Sequence, residues 1–335
     1  MKMREVRLAR LPKGAPRADD FAVATVELPE PSDGDVVVRN LAMSVDPYMR
    51  LPLTGLAGVH APMKVGDVMD GAAVGQVVQS RNNAFPVGTH VAHPMMGWRE
   101  AYLSNGTGLA PVDPALAPPS YFLGILGMTG ITAFAGVEHV LKPKPGETLF
   151  VSGAAGAVGS LVCQLAALRG ASVVGSTGSK EKARWLKDTL KLSHVIDYRT
   201  EKLAEALKHA APAGLDAYFD NVGGSTLEAA ITAMKTSGRI ALCGAIELYN
   251  EANYRAGPQN FFSVIEKGLT LTGVNVGHYY SRAPQIIAEL AGLINSGKLI
   301  WRETVVDGIE NAPAAFVSML DGGNTGKMIV RLWGG

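Results

Sequence analysis

The chain predicts an α/β protein in which an open, parallel, doubly wound sheet is joined to a smaller β-rich domain. Three observations carry that expectation. From about residue 147 six short apolar stretches alternate with helical ones, a glycine-rich turn joins the first stretch to the first helix, and the first 120 residues hold short strands broken by turns. At 335 residues the chain is long enough for two domains of ordinary size.

The turn cluster Pro31-Ser32-Asp33-Gly34 precedes the β-branched run Asp35-Val36-Val37-Val38-Arg39, which reads as a strand. Ala72 to Val78 and Thr89-His90-Val91-Ala92 repeat the theme between Gly- and Pro-rich connectors. Pro111, Pro114, Pro118 and Pro119 then punctuate the chain before a helix-like run from Tyr121 onward. Beyond it, Thr148 to Ser152 is a buried strand and Ala157 to about Arg169 an amphipathic helix. Ala171 to Gly175 with a helix holding Lys180 to Leu190, and His194 to Asp197 with Leu203 to His209, are the next strand–helix pairs. Leu215 to Asp220, Arg239 to Leu242 and Leu269 to Val274 complete six strands. From about Trp301 short strands return with a helix over Ala312 to Leu320, a tail expected to pack back on the first domain.

Composition excludes several classes of function. An apolar fraction of 47% is incompatible with a wholly disordered chain. With 31 Lys plus Arg against 30 Asp plus Glu, the net charge of +1 offers no general field for nucleic acid or an anionic membrane. Cys163 and Cys243 can form neither a disulfide framework nor a four-thiolate zinc site, which points to a reducing, cytoplasmic setting. The start, Met1-Lys2-Met3-Arg4-Glu5-Val6-Arg7, places charges where a signal peptide would carry its apolar core. Two uncharged stretches, Ser120 to Val137 and Thr148 to Leu168, are glycine-interrupted, so a buried strand, turn and helix is expected there instead of a membrane span.

The sharpest local signal is Ser152-Gly153-Ala154-Ala155-Gly156-Ala157-Val158-Gly159, which follows a strand and opens a helix. Gly156 lets backbone approach a pyrophosphate, the helix N-terminus supplies free N–H groups, and Gly159 permits close helix–strand packing. Ala154 departs from the usual G-x-G-x-x-G spacing. The end of the next strand distinguishes the nicotinamide cofactors. An NAD site places an acid there for the ribose 2′-OH, whereas this chain reads Gly175-Ser176-Thr177-Gly178-Ser179-Lys180-Glu181-Lys182. Hydroxyls and lysines in place of the acid favour a 2′-phosphate, hence NADP(H), with Glu181 as the complicating charge.

No Cys-x-x-Cys pair or Gly-His-Glu signature occurs, and His90 and His93 would point to opposite faces of a strand, so no metal site is expected. Tyr198 to Lys202 has the Y-x-x-x-K spacing of short-chain dehydrogenases, but it follows the third strand and lacks a serine partner. Ser179 to Lys182 has S-x-x-K spacing without the motifs that accompany it in acylating enzymes. Both read as chance.

Ser44-Val45-Asp46-Pro47-Tyr48-Met49-Arg50, Gly127-Met128-Thr129-Gly130-Ile131-Thr132-Ala133-Phe134, Tyr218-Phe219-Asp220-Asn221-Val222-Gly223-Gly224 and Gly238 to Ile246 extend the pattern, as do Tyr249-Asn250 and Gly323-Asn324-Thr325-Gly326-Lys327. Together with the glycine turn, these strings resemble the zinc-independent medium-chain dehydrogenase/reductase superfamily. More narrowly, they are similar to its NADPH-dependent alkenal, prostaglandin and curcumin reductases (the leukotriene B4 dehydrogenase-like branch). The resemblance spans nearly the whole chain in the family's order.

The resemblance implies a chaperonin-10-like (GroES-like) domain over 1–120 plus 300–335 and an NADP-binding Rossmann domain over 121–299. It further implies metal-free reduction of the carbon–carbon double bond of α,β-unsaturated ketones or aldehydes, with a small hydrophobic conjugated carbonyl compound as substrate. By matching motifs, Gly156 and Val158 would meet the pyrophosphate, and Thr177, Gly178, Lys182 and Tyr198 would surround the 2′-phosphate. Asn221, Cys243, Ile246 and Asn324 would line the nicotinamide half, with Thr129 and Thr132 at the domain junction. Asn275 stands where the family commonly carries Phe or Val. The branch implies a homodimer built through the sheet edge at Leu269 to Val276.

The reaction places negative charge on the carbonyl oxygen as hydride reaches the β-carbon, so a preorganised O–H donor is needed. The motif match nominates Tyr249, with a nicotinamide ribose hydroxyl as a second donor and Tyr48 as a further substrate contact. Tyr249 or water would supply the α-carbon proton. The stretch from Tyr249 to Phe262, with Tyr254 and Phe261, and His278-Tyr279-Tyr280 read equally as walls over a flat substrate or as dimer-contact segments. A metal-free NADPH-dependent quinone reductase is the nearest alternative; an inactive NADPH-binding scaffold or sensor is one of a different class.

Overall fold

The computed structural model describes residues 1–54, 61–250 and 257–333. It divides into two compact units, Met1–Gly127 with Glu303–Gly335, and Met128–Arg302.

The first unit opens with β1 (Lys2–Leu8) and β2 (Phe21–Glu27), an antiparallel ribbon with Met3 opposite Val26. The charged N-terminal stretch is therefore a strand. Arg4 pairs with Glu100 at 2.7 Å, and the carboxylate of the buried Glu5 with Arg7 at 2.5 Å, so the charges of Arg4, Glu5 and Arg7 are compensated. β3 (Val36–Val45), β4 (Ala73–Ser80), β5 (His90–His93), β6 (Ala101–Ser104) and β7 (Ala110–Pro111) follow. β3 is buried along most of its length on both faces, as a central strand should be, and its buried Asn40 donates to the Met96 and Arg99 carbonyls at 2.8 Å each. His93 has a structural use: its Nδ1 accepts the Met95 amide at 3.0 Å, and burial lowers its pKa.

Pro118 and Pro119 open a 3₁₀ turn over Pro119–Leu123, so the helix expected from Tyr121 starts later, as α1 (Met128–Ala135) in the second unit. There β8 (Thr148–Val151), α2 (Ala157–Leu168), β9 (Ser172–Thr177), α3 (Lys180–Asp188), β10 (His194–Asp197) and α4 (Leu203–Ala210) alternate as expected. β11 (Leu215–Asp220), α5 (Gly224–Ala233), β12 (Met234–Leu242), α6 (Phe262–Glu266), β13 (Thr270–Gly273) and α7 (Ala283–Asn295) complete it. β12 starts earlier than the apolar pattern indicates. Its register against β11 shifts after Leu215–Met234, and the polar residues before Gly238, with Ser237 at φ +60°, form the irregular part.

All six strands are parallel, in the order β10-β9-β8-β11-β12-β13. The chain moves outward in one direction from β8 and then in the other from β11, so their carboxyl ends flank the topological switch point, where ligands bind in open α/β sheets. One core of this unit gathers Phe150, Val174, Ile196, Tyr218, Ile231 and Ile240, with the Phe150 and Tyr218 rings stacked at 4.9 Å. α2 is uncharged because it is largely buried from Gly159 to Ala166, and among the described residues no helix is long and apolar enough to cross a membrane.

The chain returns to the first unit as β14 (Glu303–Asp307), α8 (Ala312–Leu320) and β15 (Lys327–Arg331). β15 pairs antiparallel with β3, giving a mixed sheet β14-β15-β3-β4-β5-β7 with β6 also on β3. The tail thus completes the sheet built on β3, while β1 and β2 form a separate ribbon. Trp98, with no exposed surface, anchors a core with Phe21, Met43 and Phe316; its ring meets Phe316 edge-on at 6.0 Å.

Candidate active site

The glycine turn bridges β8 and α2. Gly153 adopts φ +59°, its carbonyl accepts the Gly156 amide at 2.9 Å, and the Ala154 amide donates to Ser176 on β9. A Cβ on Gly159 would lie 2.3 Å from the Gly153 carbonyl oxygen, so only glycine allows this helix to sit so close to the turn. Gly156 is the extended N-cap of α2, and the first backbone bond back from the helix is Ser160 to Gly156. The amides of Ala157, Val158 and Gly159 carry no hydrogen bond among the described residues, which fits the donor set that a pyrophosphate takes at a helix N-terminus.

At the end of β9, Thr177 is buried and its carbonyl accepts the Tyr198 amide at 3.1 Å. A Cβ on Gly178 would fall 2.5 Å from the Tyr198 hydroxyl, so these two residues are in close approach. Ser179 caps α3, its Oγ accepting the Lys182 amide at 3.2 Å, which is the use of the S-x-x-K spacing. Burial, then the charge of Arg199, lowers the pKa of Lys182. Glu181 is directed to Arg302 at 3.8 Å. A hydroxyl, two cations and a helix N-terminus therefore sit at this strand end with no acid of β9 among them, a donor set that fits a phosphate on the ribose.

β11 ends in Asp220, which is buried. Its Oδ1 accepts from the Tyr218 hydroxyl at 2.6 Å, the Val222 and Gly223 amides at 2.9 Å each, and Ser152 Oγ at 3.3 Å. Burial raises the carboxyl's pKa, while these donors favour its ionised form. The next residue, Asn221, donates its side-chain amide to the Ser152 carbonyl at 2.7 Å. At the end of β12 the Cys243 amide donates to the Asp220 carbonyl at 2.8 Å. Burial and the Asp220 charge push the Cys243 thiol up to about 12.

Ile246–Leu248 forms a 3₁₀ turn, tied to the end of β11 by Ile246 N to Asn221 O (3.4 Å) and Glu247 N to Val222 O (3.1 Å). Tyr249 closes that turn. Its hydroxyl oxygen accepts the Ala245 amide at 3.4 Å, and burial raises its pKa, so the phenol keeps a proton to donate. Tyr198, Asn221, Cys243, Ile246 and Tyr249 thus gather with the glycine turn along the carboxyl edge of one sheet. Thr129 and Thr132 lie buried on α1, which packs against α2; the Thr132 hydroxyl returns to the Met128 carbonyl at 2.7 Å.

Tyr48 and Asn324 belong to the first unit. Tyr48 lies half-buried in the turn Pro47–Thr54, and Asn324 donates to the Gly326 carbonyl at 2.7 Å. The loops that carry them meet through a buried ion pair: Lys327, 1% exposed, donates to Asp46 Oδ1 at 2.7 Å and to the Val45 carbonyl at 2.8 Å.

Asn275 caps the turn Val276–Arg282 by accepting the Gly277 amide at 2.9 Å, a backbone use that a Phe or Val could not supply. Tyr279 stacks on His139 at 5.5 Å, whereas Phe261 and Tyr280 are exposed; Tyr254 lies outside the described residues. Residue types and spacing alone did not single out Ser152, Tyr218, Asp220 or the Ala245 amide. The available signal was Asp220 itself, a charged residue that follows the apolar run Ala217-Tyr218-Phe219 at the end of β11. Among the described residues no group of three or more His, Cys, Asp and Glu side chains is placed to hold a metal ion.

Comparison with known proteins agrees with this architecture. Residues 4–112 match the family described as N-terminal domain of oxidoreductase, and residues 157–292 the family described as zinc-binding dehydrogenase. Prostaglandin reductase 1 of Bos taurus is 45% identical over 323 residues, 95% of this chain and 95% of its own. The 2-alkenal reductase (NADP(+)-dependent) of Nicotiana tabacum is 40% identical over 336 residues, 98% of this chain and 97% of its own. The crystal structure of CurA in complex with NADPH from Vibrio vulnificus matches with a TM-score of 0.93 at 36% identity, covering 99% of this chain and 100% of that one. The chain belongs to the zinc-independent medium-chain dehydrogenase/reductase family, in the branch that holds the prostaglandin, alkenal and curcumin reductases.

Proposed function

We propose that this protein is an NADPH-dependent oxidoreductase that reduces the carbon–carbon double bond of α,β-unsaturated ketones and aldehydes. The observation that carries the reading is Tyr249, a neutral phenol with an available proton, at the carboxyl edge of a sheet whose glycine turn and adenosine-side cations suit NADPH. Relatives named as prostaglandin and 2-alkenal reductases support the same chemistry.

The α2 amides, with Gly156 and Val158, hold the pyrophosphate, and Thr177, Gly178, Lys182 and Tyr198 hold the 2′-phosphate. Asn221, Cys243, Ile246 and Asn324 line the nicotinamide half, with Thr129 and Thr132 beside it. NADPH, when bound, supplies the hydride that goes to the substrate's β-carbon. Tyr249 donates its hydrogen bond to the carbonyl oxygen, where negative charge grows; one such donor is worth roughly 100- to 1000-fold in rate. Protonated Cys243 stays a weak nucleophile beside an electrophilic substrate. Tyr48 contacts the substrate from the first unit. That unit, 1–127 with 303–335, serves as the substrate domain, and 128–302 as the cofactor domain. The protein works in the cytoplasm as a homodimer joined along β13, which forms one edge of its sheet.

The test is incubation with NADPH carrying deuterium in the transferred C4 position and a panel of simple enones. Deuterium on the β-carbon of a saturated ketone is expected. Deuterium on the carbonyl carbon would overturn the reading, and turnover confined to quinones would replace it.

A further inference from the structure

Asp220 takes hydrogen bonds through both its side chain and its backbone. Oδ1 receives the Tyr218 hydroxyl, Ser152 Oγ and the amides of Val222 and Gly223. Its carbonyl receives the amides of Cys243 at 2.8 Å and Gly244 at 3.0 Å. One buried residue thereby ties together the carboxyl ends of β8, β11 and β12.

What hangs from that residue is the proposed reaction site. Asn221 follows it directly and is held to Ser152 twice, by its backbone amide at 3.0 Å and its side chain at 2.7 Å. The turn bearing Tyr249 is held to the two residues after Asp220, through Asn221 O and Val222 O. Glu247 in that turn closes the arrangement by accepting from Ser225 Oγ at 3.1 Å and its amide at 3.2 Å. A carboxylate removed from water is costly unless donors surround it, and here all four side-chain bonds meet on one oxygen. Tyr218 and Ser152 also meet each other, at 3.0 Å, so the two hydroxyls and the carboxylate form one linked set.

We propose that Asp220, oriented by Tyr218 and Ser152, is a positioning residue that sets the reach of Asn221 and Tyr249 for hydride transfer without touching cofactor or substrate. The proposal rests on the enone-reductase reading for its rate consequence, but not for its structural one.

The experiment compares Asp220→Asn, Tyr218→Phe and the milder Ser152→Ala with the wild-type protein. With NADPH and an enone, kcat should fall about 100-fold for Asp220→Asn and about tenfold for Tyr218→Phe, as expected for misplacement of reacting groups. The isotope effect with C4-deuterated NADPH should rise as hydride transfer becomes more nearly rate-limiting. Affinity for 2′,5′-ADP, measured by calorimetry, should stay within about twofold, because that ligand needs only the pyrophosphate and adenosine side. Hydrogen exchange supplies the readout independent of activity: the amides of Val222, Gly223, Cys243 and Gly244 should exchange faster in Asp220→Asn, while those of 177–182 stay unchanged. Where Asp220→Asn does not fold, Tyr218→Phe and Ser152→Ala carry the test in the same direction. Unchanged exchange at those four amides, or equal loss of kcat and 2′,5′-ADP affinity, overturns the proposal. Absence of enone turnover in the wild-type protein overturns the functional reading instead, and the exchange result still decides the positioning role.

Discussion

The Tyr249 hydroxyl oxygen accepts the Ala245 amide at 3.4 Å, four positions back along the chain, so the phenolic proton is not spent on that bond. Tyr249→Phe should therefore lower kcat for enone reduction by roughly 100- to 1000-fold. Its NADPH affinity, followed by nicotinamide fluorescence, should match that of the wild type. Turnover within a factor of two or so of wild type would remove Tyr249 from the reaction.

The same phenol sets an expectation for pH. Burial, the largest influence, holds its pKa above the ordinary value of 10.0, and the Ala245 amide opposes that only in part. The protonated form is the donor, so kcat limited by hydride transfer should stay level through the neutral range and decline only as the phenol ionises, at higher pH than an ordinary tyrosine. The linkage has the matching sign: a tyrosine with a raised folded pKa contributes stability below its ordinary pKa, and loses it as pH rises through the folded one. A profile of kcat in which the phenol's limb falls well below pH 10 would contradict the assignment.

Discrimination between NADPH and NADH should reside at the end of β9. Lys182→Ala removes a charge-assisted contact and should weaken NADPH binding about 10- to 100-fold while leaving NADH almost unaffected. Gly178→Ala reaches the same end by another route, since its Cβ would displace the Tyr198 hydroxyl that lies 2.5 Å from that point. The neighbour is the far end of a flexible side chain, so the variant should fold normally and lose affinity for 2′,5′-ADP. Calorimetric titration with 2′,5′-ADP and 5′-AMP separates the phosphate contribution from that of the adenosine.

Much of the second unit was legible in local sequence. β10 and β11 have the bounds that their residue patterns indicate, and in the central β11 every residue but Asp216 is buried, as in a parallel strand flanked on both sides. The glycine turn was legible for a similar reason: Gly153, Gly156 and Gly159 answer to backbone limits acting within a few residues. β1 was hidden because charged side chains mark it, and Arg4 finds its partner only in the folded unit, on Glu100, 96 positions away. Asp220 was visible as a letter in a string but not as a hub, since Ser152 lies 68 residues before it and the parallel register alone brings them together. Tyr48 and Tyr249 were nominated by likeness to a family; spacing by itself offered no way to choose them among nine tyrosines.

The ion pair of Lys327 and Asp46 bears on stability and on the site together. Both side chains are largely out of water, at 1% and 10% exposure, and Ser44 Oγ donates to the other carboxylate oxygen. Lys327→Met keeps the bulk of the side chain but leaves the carboxylate without its cation, and should destabilise the protein by roughly 3–5 kcal/mol. Asp46→Leu combined with Lys327→Met removes the orphaned charge and should recover a large part of that loss, because the cost lies in one uncompensated ion and not in missing attraction. Since Asp46 lies two residues before Tyr48 and Lys327 three after Asn324, the single variant should also raise KM for the enone. Chemical denaturation of the single and double variants, with enone kinetics alongside, tests both points. A single variant within about 0.5 kcal/mol of wild type would mean that water reaches the carboxylate and the pair is not the anchor its burial indicates.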